Sequence, residues 1–322
     1  MQPHHIELSI VVPVWNEAYG IDIFLDTLTP ILNSITKEWE CIFAVDPCTD
    51  DTEEKLIEAS RNDSRIKMLR FSRRFGQPAA TWAGLAFSKG DAVIPIDCDM
   101  QDPPSLIPEM VRLWKEGNMV VLPQRRSREG ENCIKKTIAY VGYWFINKTA
   151  TVSIPRNTGD FRLMDRRVVN ELMKLKECHG FLRGLTALVG FKTVLLPFDR
   201  LARAKGKGKY NAFTGSILIG FNGIVSFSGS LLRMMGVGGL ALAGLSVLAA
   251  LLIPLAKLLG VWDFATGLVT LGVLLLFLTG CQLIGLGILG AYIGRIYDEV
   301  KERPKFIVEY SIGFEEEPDN RH

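Results

Sequence analysis

Two long stretches without a charged side chain constrain the fold of this chain more than any other feature. Residues 234–256 contain no Asp, Glu, Lys or Arg, and neither do residues 264–294. Each stretch exceeds the roughly 20 apolar residues that cross the hydrocarbon core of a bilayer. A pair of core helices in a soluble protein is the alternative, but uncharged runs of this length are hard to house in a soluble domain. The sequence therefore predicts two transmembrane helices joined by a hairpin at residues 257–263.

Basic residues mark one side of the predicted membrane hairpin. Arg233 precedes the first span and four basic residues between positions 295 and 305 follow the second, whereas the hairpin carries only Lys257. Basic residues concentrate on the cytoplasmic side of membrane proteins. The first residues of the sequence also lack the basic and apolar regions of a signal peptide. We therefore predict an integral protein of the bacterial inner (plasma) membrane, with its catalytic domain and both termini in the cytoplasm.

The N-terminal half alternates between two hydrophobic periods. Apolar runs at residues 8–14, 40–45 and 92–96 are typical of buried strands. Residues 21–32 and 53–60 have helical spacing instead. Strands that alternate with helices at this pace predict a parallel α/β sheet.

Each of these three strands leads into a carboxylate, namely Glu17, Asp46 and Asp97. Asp99 follows Asp97 at i+2, where the strand gives way to a loop, so both side chains can reach one hard cation. Oxygen ligands of this kind suit Mg²⁺ or Mn²⁺, which hold substrate phosphates. Open α/β sheets bind ligands at the carboxyl ends of their strands. The pattern predicts a metal–diphosphate site, and an acidic turn that caps the next helix is the alternative.

Four sequence motifs occur in one order along the chain. They are Pro13-Val-Trp-Asn-Glu17, the turn at Asp46, Asp97-Cys-Asp-Met-Gln-Asp-Pro-Pro104, and Arg200-x-x-Arg203-x-x-Gly206-x-x-Lys209-Tyr210. Together they resemble the family-two inverting glycosyltransferases, which have a GT-A (Rossmann-like) fold. The chain is most similar to the polyisoprenyl-phosphate glycosyltransferases, which include dolichol-phosphate mannose synthase and the bactoprenol glucosyltransferases. The resemblance covers essentially the whole chain.

This resemblance implies roles for the matching residues. Those implied to hold the nucleoside are Pro13, Trp15, Glu17 and Asp46. Those implied to bind the metal or the diphosphate beside it are Asp97, Asp99 and Gln101.

The remaining implied roles concern phosphates and the sugar. Basic residues implied to face phosphates are Arg125, Arg128, Arg203 and Lys209, of which the last two would close over the donor diphosphate and the acceptor phosphate. Asp160 matches an acidic residue next to the sugar, where it orients the sugar or stabilises positive charge, with general-base catalysis as the alternative. The catalytic set is thus Asp160, Asp99, Arg203 and Lys209.

The implied reaction is transfer of a hexose, first of all glucose from UDP-glucose, with inversion to undecaprenyl phosphate. Alternatives are mannose from GDP-mannose, an amino-arabinose from its UDP form, or a processive polysaccharide synthase. Two spans and the absence of a Gln-x-x-Arg-Trp motif count against a processive enzyme. The turn after the second strand, residues 45–51, departs from the family pattern, so the choice of base stays open.

The sequence predicts four regions along the chain. A cytoplasmic GT-A domain spans residues 1–210, and an amphipathic interfacial helix region spans residues 211–232, where apolar residues recur at three- and four-residue spacing. The membrane hairpin covers residues 233–295, and a cytoplasmic tail covers residues 296–322. Glycines in the second span allow close helix contacts and hence a homo-oligomer. A net charge of +2 gives no basis for nucleic-acid binding.

Overall fold

The structure is a computed structural model that describes residues 5–126, 155, 157–175, 182–198, 235–239, 241–242, 244–245, 248, 252, 259 and 267–314. The chain divides into two compact units. The first comprises Met1–Ile138, Val152–Ala212 and Glu302–His322, and the second comprises Ala139–Thr151 and Phe213–Lys301. Most of the predicted tail, residues 296–322, thus belongs to the same unit as most of the predicted domain, residues 1–210.

Strands and helices are numbered in chain order over the described residues. The strands are β1 Leu8–Val14, β2 Trp39–Val45, β3 Ile66–Phe71, β4 Ala92–Pro95, β5 Val120–Arg125, β6 Leu163–Asp165, β7 Thr193–Phe198 and β8 Val308–Ile312. The helices are α1 Ala18–Ile35, α2 Thr52–Asn62, α3 Gln77–Phe87, α4 Ile107–Lys115, α5 Arg166–Lys174, α6 Leu182–Leu188 and α7 Gly267–Val300, and a 3₁₀ turn, Pro104–Leu106, precedes α4.

The strands of the first unit form one eight-stranded sheet in the order β7-β5-β6-β4-β1-β2-β3-β8. The predicted parallel sheet is confirmed for β1 to β4, which pair in parallel. It is wrong for β6 and β8, which run antiparallel to their neighbours, so the sheet is mixed. β6 has only three residues and β8 is largely exposed, so neither carries the apolar run that marks a buried parallel strand.

Between the second and third predicted strands, the structure has a strand, β3, and a helix, α3, in addition to the predicted helix α2. Lys67 and Arg70 interrupt the apolar residues of β3, which weakens its sequence signal. Asp97 consequently follows the fourth strand of the chain rather than the third. Because β4 pairs directly with β1, Glu17 and Asp97 still follow adjacent strands of the sheet.

Helices cover both faces of the central strands. Phe24 and Leu28 of α1 pack with Val12 and Phe43 on one face. On the other face α3 lies against β1 so closely that a Cβ added at Gly84 would collide with Val11. Glycine is therefore required at that position of α3. Burial on both faces explains why β1 and β2 are almost wholly apolar.

In the second unit, the described residues include one helix that is long and apolar enough to cross a membrane. α7 has 34 residues, hence a length of about 50 Å, and its segment Phe277–Val300 is a candidate membrane span by length and hydropathy. Large apolar side chains such as Leu283 and Ile284 are exposed along it. The described residues between 235 and 252 are helical. The rest of the first predicted span and the interfacial region 211–232 lie outside the described residues. So does nearly all of the predicted connection between the two spans, residues 257–263.

Candidate active site

The loop that follows β1 is joined to the loop that follows β2. Asn16 adopts a left-handed backbone conformation, with φ of 53°, which Asn tolerates better than most residues. Its Nδ2 donates to Thr49 Oγ1 at 3.0 Å, and Thr49 N donates back to Asn16 Oδ1 at 2.8 Å. Asn16 N also donates to Cys48 Sγ at 3.3 Å. These contacts fix the backbone between Trp15 and Glu17. Both of these residues are half-buried.

Asp46, at the end of β2, is buried and holds the loop that precedes α3. Its two carboxylate oxygens accept hydrogen bonds from Phe75 N at 2.8 Å and from Gly76 N at 2.9 Å. Gly76 has a φ of 89°, a conformation that favours glycine. Contact between Asp46 and a nucleoside stays a prediction, because in this structure each carboxylate oxygen binds a backbone amide.

The residues before and at the start of α3, which we call the 73–77 segment, contact three strand ends. The Arg74 guanidinium carbon lies 3.3 Å from the centroid of the Trp15 ring, beyond β1. Gln77 Nε2 donates to Asp97 Oδ1, beyond β4, at 2.7 Å. Together with the bonds to Asp46 beyond β2, these contacts place the segment across the predicted site. Sequence patterns did not assign Arg74 or Gln77 to the site.

The metal-binding motif forms a turn at the end of β4. Asp99 Oδ1 accepts a hydrogen bond from Gln101 N at 3.0 Å, and Met100 between them has a φ of 59°. Asp97 and Asp99 are both half-buried. The backbone of Gln101, rather than its side chain, thus makes the contact described here, and metal binding by its side chain stays a prediction.

Negative charge accumulates around Asp97. Burial raises the pKa of Asp97, and the charges of Asp99, Asp160 and Asp102 raise it further, to about 7, against the opposing hydrogen bond from Gln77. A bound cation would offset this repulsion and favour the ionised carboxylate. Asp102 was not singled out as a site residue, although it lies within the acidic motif.

The residues present fit a divalent cation that binds together with a substrate. Within the described ranges, no three His, Cys, Asp or Glu side chains meet as a ready-made metal cluster. Asp97 and Asp99 offer hard oxygen ligands. Mg²⁺ is commonly held by one or two carboxylates, with waters and substrate phosphates completing its coordination. Two carboxylates surrounded by negative charge match that mode of binding.

Arg125, at the end of β5, faces the acidic cluster. Its Nη2 lies 3.4 Å from Asp102 Oδ1, and a Cβ added at Gly159 would lie 3.6 Å from the same nitrogen. Contact of Arg125 with phosphates stays a prediction. The other basic residues assigned to phosphates, Arg128, Arg203 and Lys209, lie outside the described residues.

Asp160 is held by arginines that the sequence did not assign. Arg183 of α6 donates from Nε and Nη2 to the two carboxylate oxygens of Asp160, at 2.9 and 3.1 Å. The fully buried Arg162 donates from Nη2 to Gly159 O at 2.6 Å. Burial raises the pKa of Asp160, but the charge and hydrogen bonds of Arg183, with the charges of Arg162 and Arg125, outweigh it and set the pKa below its usual value. Asp160 is therefore an ionised carboxylate at neutral pH.

Comparison with known proteins gives matches along nearly the whole chain. Residues 9–173 match the model described as glycosyl transferase family 2. The chain is 40% identical over 311 residues to the uncharacterized glycosyltransferase YkcC of Bacillus subtilis, covering 97% of this chain and 96% of the relative. It is 39% identical over 307 residues to the SfII prophage-derived bactoprenol glucosyl transferase of Shigella flexneri, covering 95% and 98%. Glucosyl-3-phosphoglycerate synthase from Mycobacterium tuberculosis, solved with Mn²⁺ and UDP, has a TM-score of 0.46 and 20% identity over 67% of this chain and 78% of that chain.

Proposed function

Since this chain belongs to glycosyltransferase family 2, in the group that includes the bactoprenol glucosyl transferases, we propose that it transfers glucose from UDP-glucose to undecaprenyl phosphate with inversion. The relatives from Shigella and its phages, by their names, support both the sugar and the polyprenyl acceptor. The observation that carries the proposal is the gathering of Asp97, Asp99, Asp102 and Asp160 around the end of β4, where the pKa of Asp97 rises to about 7. Such a concentration of negative charge suits a cation and the diphosphate it accompanies.

The proposed reaction is a single displacement. An oxygen of the acceptor phosphate attacks the anomeric carbon from the side opposite the diphosphate. The bond from that carbon to the diphosphate oxygen breaks, and its electron pair leaves with the diphosphate. Mg²⁺ or Mn²⁺ held by Asp97, Asp99 and Gln101 would supply Lewis-acid assistance to this leaving group.

Asp160 acts on the sugar without removing a proton in this proposal. A phosphomonoester has its second pKa near ~6, so the acceptor is mostly ionised at neutral pH and does not need a base. The ion pair with Arg183 supports the same role, because a carboxylate with a depressed pKa is a weak proton acceptor. Asp160 would orient the sugar or stabilise the positive charge that develops at the anomeric carbon.

Two phosphate groups must approach each other in this reaction, and basic residues offset their repulsion. Arg203 and Lys209 are proposed to close over the donor diphosphate and the acceptor phosphate, with Arg125 and Arg128 facing the donor. The residues proposed to hold the nucleoside are Pro13, Trp15, Glu17 and Asp46.

We place the reaction at the cytoplasmic face of the bacterial inner membrane. The exposed apolar side chains of α7 support a membrane span, and residues 234–256 would form the other. Both termini would then be cytoplasmic, where the basic residues lie. A Cβ added at Gly280, Gly287 or Gly290 of α7 would meet open space among the described residues, which leaves room for contact with a second copy of the helix.

Transfer by the purified full-length chain in detergent tests the proposal. Undecaprenyl phosphate would be incubated with UDP-glucose, GDP-mannose or the UDP-linked amino-arabinose, each with Mg²⁺, with Mn²⁺ or with excess chelator. We expect one glucose per lipid, from UDP-glucose, and only with metal. Transfer of a different sugar would correct the donor. A product that lengthens with time would identify a processive synthase, and no transfer from any donor would overturn the proposal.

A further inference from the structure

The 73–77 segment carries a cation that the proposed mechanism does not use. Arg74 is exposed, and its guanidinium carbon lies 3.3 Å from the centroid of the Trp15 ring. Carbon atoms in contact are about 3.5 Å apart, so at this separation the guanidinium lies flat on the indole. Its N–H bonds then point outward in a plane parallel to the ring, towards whatever lies beside Trp15.

The backbone around Arg74 is fixed, so the guanidinium has a defined position. Arg73 Nη1 donates to Arg74 O at 3.2 Å, and Asp46 accepts from the next two backbone amides. The hydrogen bond from Gln77 to Asp97 holds the other end of the segment. Arg74 therefore sits at the end of β1, the strand between those that end at Asp46 and Asp97.

Arg74 differs from the other arginines of the site in the partner of its guanidinium group. Arg125 lies 3.4 Å from Asp102, and Arg183 binds Asp160. Among the described residues, Arg74 contacts no carboxylate, and none of its N–H groups has an acceptor. An arginine has five N–H donors in a planar fork that matches the geometry of phosphate oxygens.

We propose that Arg74 binds the diphosphate of the nucleotide donor, with Trp15 as the platform that holds its guanidinium flat. The inference rests on the proposed function, since it requires a nucleoside diphosphate at this edge of the sheet. The carboxylates beyond β4 repel such an anion, and Arg74 offsets that repulsion from the nucleoside side of the site. Arg74 is then a donor-binding residue in addition to those that the sequence motifs identify.

Binding of UDP and of uridine to the full-length chain in detergent, with Mg²⁺ present, tests this inference by calorimetry. Arg74→Gln should raise the Kd for UDP by about tenfold to a hundredfold, the usual effect of losing a hydrogen bond to a charged group. It should leave the Kd for uridine, which has no phosphate, unchanged. Arg74→Lys keeps the charge without the fork and should lie between. Arg61→Gln is the matched control, because it removes one exposed positive charge from α2, outside the 73–77 segment, and it should bind UDP as the wild type does.

Three results would overturn the inference while the proposed function stands. Arg74→Gln would bind UDP as tightly as the wild type, or Arg61→Gln would weaken UDP binding as much as Arg74→Gln. Alternatively, Arg74→Gln would weaken uridine and UDP equally, which would assign Arg74 to the base. A wild-type chain that binds no UDP and transfers no glucose would instead remove the proposed function, and this inference with it.

Discussion

Arg183 binds Asp160 through two hydrogen bonds, of 2.9 and 3.1 Å, one to each carboxylate oxygen. The pair lies within the influence of other carboxylates, since the charge of Asp160 helps to raise the pKa of Asp97. Arg183 therefore orients Asp160 and also keeps it ionised in an environment that favours protonation.

Arg183→Gln should move the acid limb of the pH–rate profile to higher pH. Without the arginine, burial and neighbouring carboxylates would raise the pKa of Asp160, and activity would be lost as the pH falls through that raised value. Arg183→Lys keeps the charge and should retain most of the wild-type profile. The measurement is kcat for sugar transfer between pH 5 and 9. Superimposable profiles for Arg183→Gln and the wild type would show that the pair does not control the ionisation of Asp160.

Asp160→Asn should lower kcat and leave donor binding nearly unchanged, because the lost interaction is strongest in the transition state. The loss should persist above pH 7, where the acceptor phosphate, with a second pKa of about 6, is already ionised. The rate would be followed from pH 5 to 9 at saturating UDP-glucose. Full recovery at high pH would assign Asp160 as a general base instead.

Asp99→Asn should reduce sugar transfer by about a hundredfold or more, and Asp97→Asn nearly as much, because the cation supplies several kcal/mol of charge stabilisation to the leaving group. Mn²⁺ binding, followed by electron paramagnetic resonance with UDP present, should weaken in parallel. Glu58→Gln, on the exposed face of α2, removes an equal charge and serves as the control. Wild-type transfer by Asp99→Asn, or full activity in excess chelator, would refute the metal assignment.

Asp97 should make the stability of the metal-free protein depend on pH. Its pKa is about 7 in the folded protein against an ordinary value of 3.8, so between these values the folded protein keeps a proton that the unfolded chain has released. Stability should therefore fall as the pH rises from about 4 to 7. Asp97→Asn should have a higher Tm than the wild type at pH 8 in chelator, and the two should converge at pH 4. Adding Mg²⁺ with UDP should raise the Tm of the wild type but not that of Asp97→Asn. Equal Tm values for both proteins at pH 8 would remove Asp97 as the source of this dependence.

A membrane-impermeant thiol reagent applied to intact cells should label a cysteine introduced in the hairpin, between Lys257 and Asp263. The same reagent should not reach a cysteine introduced at Arg321, since both termini are predicted to be cytoplasmic. A variant without the native cysteines provides the background. Labelling at position 321 from outside would reverse the proposed orientation and separate the active site from cytoplasmic nucleotide sugars.

Sequence patterns predicted the parts of the fold that are fixed by local chemistry. β1 and β2 were identified because burial on both faces makes them apolar, and Glu17, Asp46 and Asp97 because each follows a strand directly. The α/β, GT-A-like glycosyltransferase fold is supported, with a mixed rather than a parallel sheet. β6 and β8 were missed because they are short or exposed, and their pairing depends on strands far away in the sequence.

The candidate site was predicted less completely because several of its contacts join residues that are far apart in the sequence. Arg183 and Gln77 have no motif, and their contacts with Asp160 and Asp97 exist only once α6 and α3 have packed. The occupation of Asp46 by two backbone amides is likewise a tertiary contact, since its partners lie about thirty positions further along the chain.

The paired hydrogen bonds between Asn16 and Thr49 have a consequence for attempts to redesign nucleotide preference. The loops after β1 and β2 depend on each other for their conformation, because each supplies a donor and an acceptor to the other. A graft that exchanged residues 46–52 for those of a relative, while leaving Asn16 in place, would leave hydrogen-bonding groups unmatched in both loops. A graft at this edge of the sheet should therefore exchange the two loops together.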